Sequence, residues 1–410
     1  MILFFFVSLS FFTNFFVFFL LMVFFIFLGI LDFSWSGCFL FFDSLNFLFL
    51  GFMSVFILGF IMLVEMNSSL VFYSLLVIMF SMYFFFSGGV ILFYIFYELT
   101  MIPILFCLLG FGSQVEKISA CYYLVFYTLF FGFPFLFFFS HVFSFFNFVY
   151  FDFYMSFEFV FILTLCFLVK FPLYFFHVWL PKAHVEAPTS ASMVLAGVML
   201  KLGGAGVYRL SKSLGFFGME FFLFLSFLSM VICSFICMSQ SDSKCLAAYS
   251  SICHMGFVFF SEILMVYWGK SMALIVMLAH GYTSVMMFYF IGELYHLCGS
   301  RLIYYLRGYF NLSLLGCFFF CSVMMSNFSF PSSLSFFSEY VMVNFGVLVF
   351  LLGFVFLFFY YMISFYYSVY LMVCFLMGQK VFLNFVEGRF FFVVSLVLMS
   401  YNFFWFGYII

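Results

Sequence analysis

The sequence predicts an all-α polytopic membrane protein with about 13–14 spanning helices. Three observations predict it. Of the 410 residues, 69% are hydrophobic and only 6% are charged. Mean hydropathy is +1.36. The apolar residues fall in successive runs of spanning length, about 20 residues each. A water-soluble domain is about 25% charged. A chain with so little charge could not cover its surface in water, which leaves lipid as the consistent solvent.

The first apolar run fills 2–30, as one long helix or two short ones. The next are 46–64, 69–88, 90–111, 120–140 and 157–179. Then come 188–210, 217–238, 245–266 and 271–293, followed by 311–326, 333–350, 351–372 and 391–409. Short linkers at 32–43, 114–117, 152–158, 240–244 and 301–307 carry most of the charge and leave no room for a soluble domain. Residues 1–410 therefore read as a single transmembrane domain. It has N-terminal helices in 1–64, two halves at 69–210 and 217–372, and a C-terminal helix in 391–410. Lys and Arg divide about equally between alternate loops, so the positive-inside rule assigns no orientation.

Two spans look interrupted, at Val169-Lys170-Phe171-Pro172 and at Asn327-Phe328-Ser329-Phe330-Pro331-Ser332-Ser333. Proline deletes a backbone hydrogen bond and frees a carbonyl. In lipid this is tolerated only where protein or water serves the freed group. Paired interruptions in two halves suggest an inverted-repeat transporter. Ordinary membrane-helix prolines give the same pattern, and the halves are too dissimilar to decide.

Composition also excludes functions. The net charge is −2 and there is no basic run to bind nucleic acid. The 12 Cys are scattered through apolar stretches with no CxxC pair. They read as small buried apolar residues, not as disulfides or cluster ligands. The 87 Phe fit a T-rich coding sequence and point weakly to an organellar genome. The first Lys or Arg is Lys117, so no basic leader or Arg-rich transit peptide is expected.

A few ionisable residues lie inside the apolar runs. They are Glu98, Lys170, Lys201 and Glu339, with His254 in Cys-His254-Met-Gly-Phe and His280 in Leu-Ala-His280-Gly-Tyr. A charge at the bilayer centre costs about 2.5–3.5 kcal/mol on insertion scales. These groups are expected to face the bundle interior and pair there, with Glu98–Lys170 the favoured pair. Burial and a neighbouring opposite charge pull proton affinity in opposite directions, so a balanced group can exchange a proton when its partner moves. A structural ion pair or a snorkelling side chain explains any one of them. Six such positions on successive helices favour a proton path.

His177, His184 and Glu186 raise the question of a metal. Their spacing fits no zinc pattern and Lys182 sits among them, so structural hydrogen bonding is the better reading. Gly203-Gly204-Ala205-Gly206 lies inside a membrane run. It reads as a close-packing segment beside Lys201, not a phosphate loop.

Two stretches are specific: Leu168-Val-Lys170-Phe-Pro172-Leu-Tyr-Phe-Phe-His177-Val-Trp-Leu-Pro181-Lys-Ala-His184-Val-Glu186-Ala-Pro188, and Ser192-Met-Val-Leu-Ala-Gly-Val-Met-Leu-Lys201-Leu-Gly-Gly. Both resemble the chain 4 family of antiporter-like membrane subunits of mitochondrial NADH–ubiquinone oxidoreductase (complex I). Supporting matches surround Glu98, the run from Gln240 through Asp242 and Lys244 to His254, and His280. The Pro181–Pro188 segment favours chain 4 over the related chains 2 and 5. The resemblance spans about 90–340 and is only hydropathic outside it.

The resemblance implies an antiporter-like fold of two inverted five-helix repeats with two broken helices, in the mitochondrial inner membrane. It implies proton translocation coupled to electron transfer from NADH to ubiquinone. Residue by residue, Glu98 and Lys170 match the family's membrane Glu–Lys pair and Lys201 its central lysine. His254 and His280 match the histidines between half-channels, and Glu339 matches the acid on the second broken helix. NADH, FMN, iron–sulfur clusters and ubiquinone would be bound by other subunits, none by this chain, which would itself do no redox chemistry. Its partners would be membrane lipids and other membrane-arm subunits, including chains 2 and 5. The chain departs from the family in a short N-terminal region and sparse loops. A free-standing cation/proton antiporter subunit and a non-pumping structural subunit remain alternatives. A quinone site is a weaker one, because aromatics discriminate nothing in this composition.

Overall fold

The computed structural model describes residues 15–31, 45–112, 114–141, 157–214, 219–264, 267–308, 314–349 and 351–377, with two isolated helical positions at 399 and 402. Among the described residues the architecture is helical, with no extended strand, and an isolated β-bridge joins Asp242 and Leu302. Among the described residues eight helical segments are long and apolar enough to cross a membrane by length and composition. Of the other expected spans, 46–64 forms one 20-residue helix, 157–179 is broken, and 311–326 and 333–350 form helices of 14 and 16 residues.

The chain opens with α1 (Phe15–Leu31), α2 (Leu45–Val64) and α3 (Ser68–Phe85). The next span, Ile91–Phe111, is two pieces that meet at Thr100: α4 (Val90–Leu99) and α5 (Met101–Phe111). α6 (Lys117–His141) continues through Pro134. The run expected at 157–179 ends early, as α7 (Phe157–Lys170), and resumes as the short α8 (Trp179–Glu186). α9 (Thr189–Val194) joins α10 (Leu200–Leu214) through a π-helical turn at Leu195–Met199.

The second half holds α11 (Met219–Ser239), α12 (Ser243–Ile263) and α13 (Tyr267–Cys298). It continues with α14 (Leu314–Asn327), α15 (Leu334–Val349) and α16 (Leu351–Leu376). α13 has 32 residues. At 1.5 Å per residue it is about 48 Å long, more than the hydrocarbon core requires. The expected helix at 391–409 lies outside the described residues apart from Met399 and Asn402.

Burial sorts the helices into layers. The spanning 18-residue stretch is wholly buried in Thr189–Arg209 and 94% buried in α12, but only 28% buried in Lys117–Phe137. The first two form the axis, and α6 presents Phe126, Phe130, Phe133 and Phe137 outward. α12 packs between α11 and α13, and α13 packs on α15. The expected close packing beside Lys201 is present. A Cβ on Gly203 would stand 2.6 Å from the Phe171 backbone nitrogen, so only glycine lets α10 lie against the end of α7.

Both expected interruptions occur, and both contain non-glycine residues in the left-handed region. Phe175 has φ 81° at the first, and Ser329 (60°) and Ser332 (92°) lie in the second. Each such residue costs about 1–3 kcal/mol and persists only where the surroundings fix it. The freed carbonyls are served by side chains. Trp179 Nε1 donates to the Val169 carbonyl at 2.8 Å across the first break. In the second, Ser335 Oγ donates to the Ser326 carbonyl at 3.0 Å and Ser333 Oγ to the Phe330 carbonyl at 2.8 Å.

Candidate functional site

The buried ionisable residues form two groups. The first is where α4 meets α7. Lys170 is the last residue of α7 and is 1% exposed. Its ammonium donates to the Tyr97 carbonyl, reaches Thr100 Oγ1 at 3.5 Å, and stands 3.4 Å over the Tyr97 ring. Tyr97 and Thr100 flank Glu98, which is partly buried and acts on Lys170 electrostatically. The ammonium's direct contacts are therefore with a carbonyl, a hydroxyl and an aromatic face, and Glu98 completes the set through space. The Tyr97 hydroxyl in turn donates to the Cys166 carbonyl at 3.0 Å, tying α4 to α7.

The second group runs across the centre of the bundle. Lys201 is fully buried on α10, directly after the π-helical turn. Helical side chains lean toward the N-terminus. Here that lean brings Lys201 Nζ to the Ala196 carbonyl at 2.7 Å. The same Nζ lies 2.9 Å from His280 Nδ1 on α13. An ammonium donates to a bare ring nitrogen, so Lys201 and His280 cannot both present a proton to this contact. Gly281 adjoins His280, and a Cβ there would stand 2.1 Å from Met53 Sδ.

The row continues from His280 to His254 on α12, whose ring centroids are 5.4 Å apart. His254 Nδ1 then lies 3.2 Å from Tyr360 Oη on α16 and 3.8 Å from Glu339 Oε1 on α15. Lys201, His280, His254 and Glu339 are each at least 96% buried. The fold thus lines up four of the expected residues from four helices, α10, α13, α12 and α15. It holds Glu98 and Lys170 apart as a second cluster, connected to the row through the Gly203 contact with the Lys170–Phe171 backbone.

Sequence reasoning missed several participants. Tyr97, Thr100 and Tyr360 carry no signal against so aromatic a background. The π-helical turn has no marker residue. Arg209 on α10 is a further buried charge. It is 1% exposed and donates to the Phe85 carbonyl at 3.0 Å. Phe85 ends α3, so this cation sits where the helix dipole favours it.

At one end of the bundle, Glu65, Glu186, Lys244, His296 and Arg301 line a cavity of about 260 Å³. Lys244 Nζ donates to the Ala187 carbonyl at 3.0 Å and Arg301 to the Val185 carbonyl, so two cations cap the orphan carbonyls of α8. Among the described residues no hydrogen bond of normal geometry reaches either Glu186 carboxyl oxygen, and the Gln114 backbone stands near this carboxyl. Burial raises its proton affinity above the ordinary carboxylate range, with Arg301 opposing. His184, two residues earlier, is fully buried and stacks on Phe288 with ring centroids 4.4 Å apart. His177 stacks on Tyr174 at 5.2 Å. Among the described residues no three His, Cys, Asp or Glu are grouped to hold a metal ion.

Residues 87–364 match the family described as NADH:quinone oxidoreductase/Mrp antiporter, transmembrane. The NADH-ubiquinone oxidoreductase chain 4 of Ascaris suum is 47% identical over 94% of both chains. That of Caenorhabditis elegans is 46% identical over 91% of both. Among solved structures, a chain of respiratory complex I from Thermus thermophilus superposes with a TM-score of 0.77. It is 20% identical, over 89% of this chain and 80% of that one. A chain of an archaeal membrane-bound sulfane sulfur reductase gives 0.79 at 16% identity, over 99% and 92%. At these identities the structures speak for the fold alone.

Proposed function

The chain belongs to the NADH:quinone oxidoreductase/Mrp antiporter transmembrane family, in its chain 4 group, and we propose how its buried charges move protons. It is a multi-pass, antiporter-like membrane subunit of the proton-translocating NADH:ubiquinone oxidoreductase. Its finer placement, in the mitochondrial inner membrane beside chains 2 and 5, follows the resemblance. So does the assignment of NADH, FMN, iron–sulfur clusters and ubiquinone to other subunits. The two halves, 69–210 and 217–372, are read as inverted repeats. A break in each half supports that reading.

One observation carries the proton path: the Lys201–His280–His254–Glu339 row, with its 2.9 Å Lys–His contact. A proton shared between an amine and an imidazole moves when the local field changes. Lys170 supplies such a field. Its ammonium is poised between Glu98, Tyr97 and Thr100, and a shift of Glu98 alters the charge felt along α10 through the Gly203 contact. Lys201 then yields its proton to His280, and His254 passes one toward Glu339. The cavity beside Glu186 and Lys244 provides the water-facing mouth at the α8 end.

The test is NADH-driven proton translocation by the intact complex in sealed vesicles, comparing wild type with Lys201→Met. Assembly is checked on a native gel. The assembled variant is expected to move fewer protons per NADH. A wild-type ratio would leave the chain a scaffold and the buried row without a transport role.

A further inference from the structure

α12 carries an ionisable group at each of three levels. Lys244 lies at its start beside the Glu186 cavity, His254 in the central row, and Glu262 near its end. Glu262 lies outside the Lys201–His280–His254–Glu339 row, and its side chain is unusual. It is 1% exposed, yet among the described residues neither carboxyl oxygen has a hydrogen-bond partner. A buried polar group left unbonded costs about 1–3 kcal/mol, and more when charged. A residue kept only for packing would be apolar there, and one kept for structure would be bonded.

Its position gives it a role. Eight residues separate His254 from Glu262, about 12 Å along the helix. The neighbours run the same way. On α15, Met342 lies near Gly269 and Gly346 meets Phe260, so α15 leads from Glu339 toward the level of Glu262. α13 begins at this level, where half-buried Lys270 is the opposite charge acting on Glu262. Three helices that carry His254, Glu339 and His280 thus converge on one acid just inside the bundle face opposite the Glu186 cavity.

We propose that Glu262 is the terminal proton carrier between the His254–Glu339 pair and the face where α12 ends, with Lys270 at the mouth. This extends the proton-path reading above and rests on it. A proton leaving the His254–Glu339 pair passes through water to a Glu262 carboxylate oxygen, giving the neutral acid. The acid returns the same proton to water at the face and regains its charge. Lys270 stabilises the ionised form between transfers.

The experiment measures protons translocated per NADH by the intact complex in vesicles, for Glu262→Gln, Glu262→Asp and Lys201→Met, with assembly checked by native gel. A carrier ranks the two Glu262 variants oppositely from a structural residue. Gln keeps the shape and loses the proton, while Asp keeps the proton and disturbs the shape. Expected is a Gln ratio lowered to the Lys201→Met level and an Asp ratio close to wild type. A wild-type Gln ratio beside a lowered Lys201→Met ratio overturns Glu262 as a carrier and leaves the central row standing. Equal loss in Gln and Asp also overturns it, as a packing defect. A wild-type Lys201→Met ratio overturns the underlying path. If the Glu262 variants do not assemble, the native complex decides. Dicyclohexylcarbodiimide is expected to modify the Glu262 peptide during turnover, with the ratio falling in step. An unmodified peptide, or modification at an unchanged ratio, overturns the proposal.

Discussion

Lysine in a low-dielectric interior needs donors' partners more than it needs a single counter-charge, and the two central lysines meet that need differently. Lys201 has the Ala196 carbonyl and the His280 ring. Lys170 has the Tyr97 carbonyl, the Thr100 hydroxyl and the Tyr97 face. A cation over an aromatic face gains about 0.5–2 kcal/mol, most when desolvated. Tyr97→Leu removes that face and the hydroxyl bond to Cys166 while leaving the backbone carbonyl. The expected result is an assembled complex with a lowered proton-to-NADH ratio and a small loss of thermal stability. A wild-type ratio would show that the Tyr97 ring does not hold Lys170 in its working position. At this scale the sequence was informative about charge and silent about aromatics. An ionisable residue in an apolar run is visible at once, because its cost in lipid is large. One working tyrosine among 27 is not.

Helices in lipid must satisfy every backbone group internally, so each departure from regular helix needs a named side chain. The first break relies on Trp179, whose indole N–H serves the Val169 carbonyl. Trp179→Phe keeps most of the bulk and removes the donor. It is expected to cost about 1–3 kcal/mol, read as a lower midpoint in thermal unfolding of the complex. The same change is expected to reduce pumping, because Lys170 is the next residue. An unchanged midpoint would mean that another donor serves Val169. The breaks near Pro172 and Pro331 could be read from the sequence. The π-helical turn at Leu195–Met199 has no marker residue, and the break at Thr100 went unread although Pro103 marks it. At Thr100 the cause is local: Pro103 has no N–H for the Leu99 carbonyl and its ring crowds it, so α4 stops there.

Across the whole molecule, the axis is the segment Thr189–Arg209 with α12, and the periphery is apolar without being specific. Phe126, Phe130 and Phe133 on α6 are 60–64% exposed. Lipid tails are as apolar as leucine, so nothing in a bilayer demands phenylalanine at these positions. Replacing the three together with leucine is expected to change stability by no more than about 0.5 kcal/mol each, in the range of ordinary surface substitutions. Thermal inactivation of the complex checks this. A larger loss would mean that the α6 face packs on a neighbouring subunit.

The sequence by itself determined the solvent, the helical class, the approximate spans and the ionisable residues within them. Each follows from transfer free energy, which belongs to residue type and run length and needs no knowledge of neighbours. Only the tertiary structure decided which of those residues meet. It joined Lys201, His280, His254 and Glu339 from four helices, gave Lys170 to Tyr97 and Thr100 beside Glu98, and left Glu262 buried and unbonded. Contact between helices depends on crossing and rotation. These are set by close-packing positions such as Gly203 and Gly281, where space rather than hydropathy is decisive.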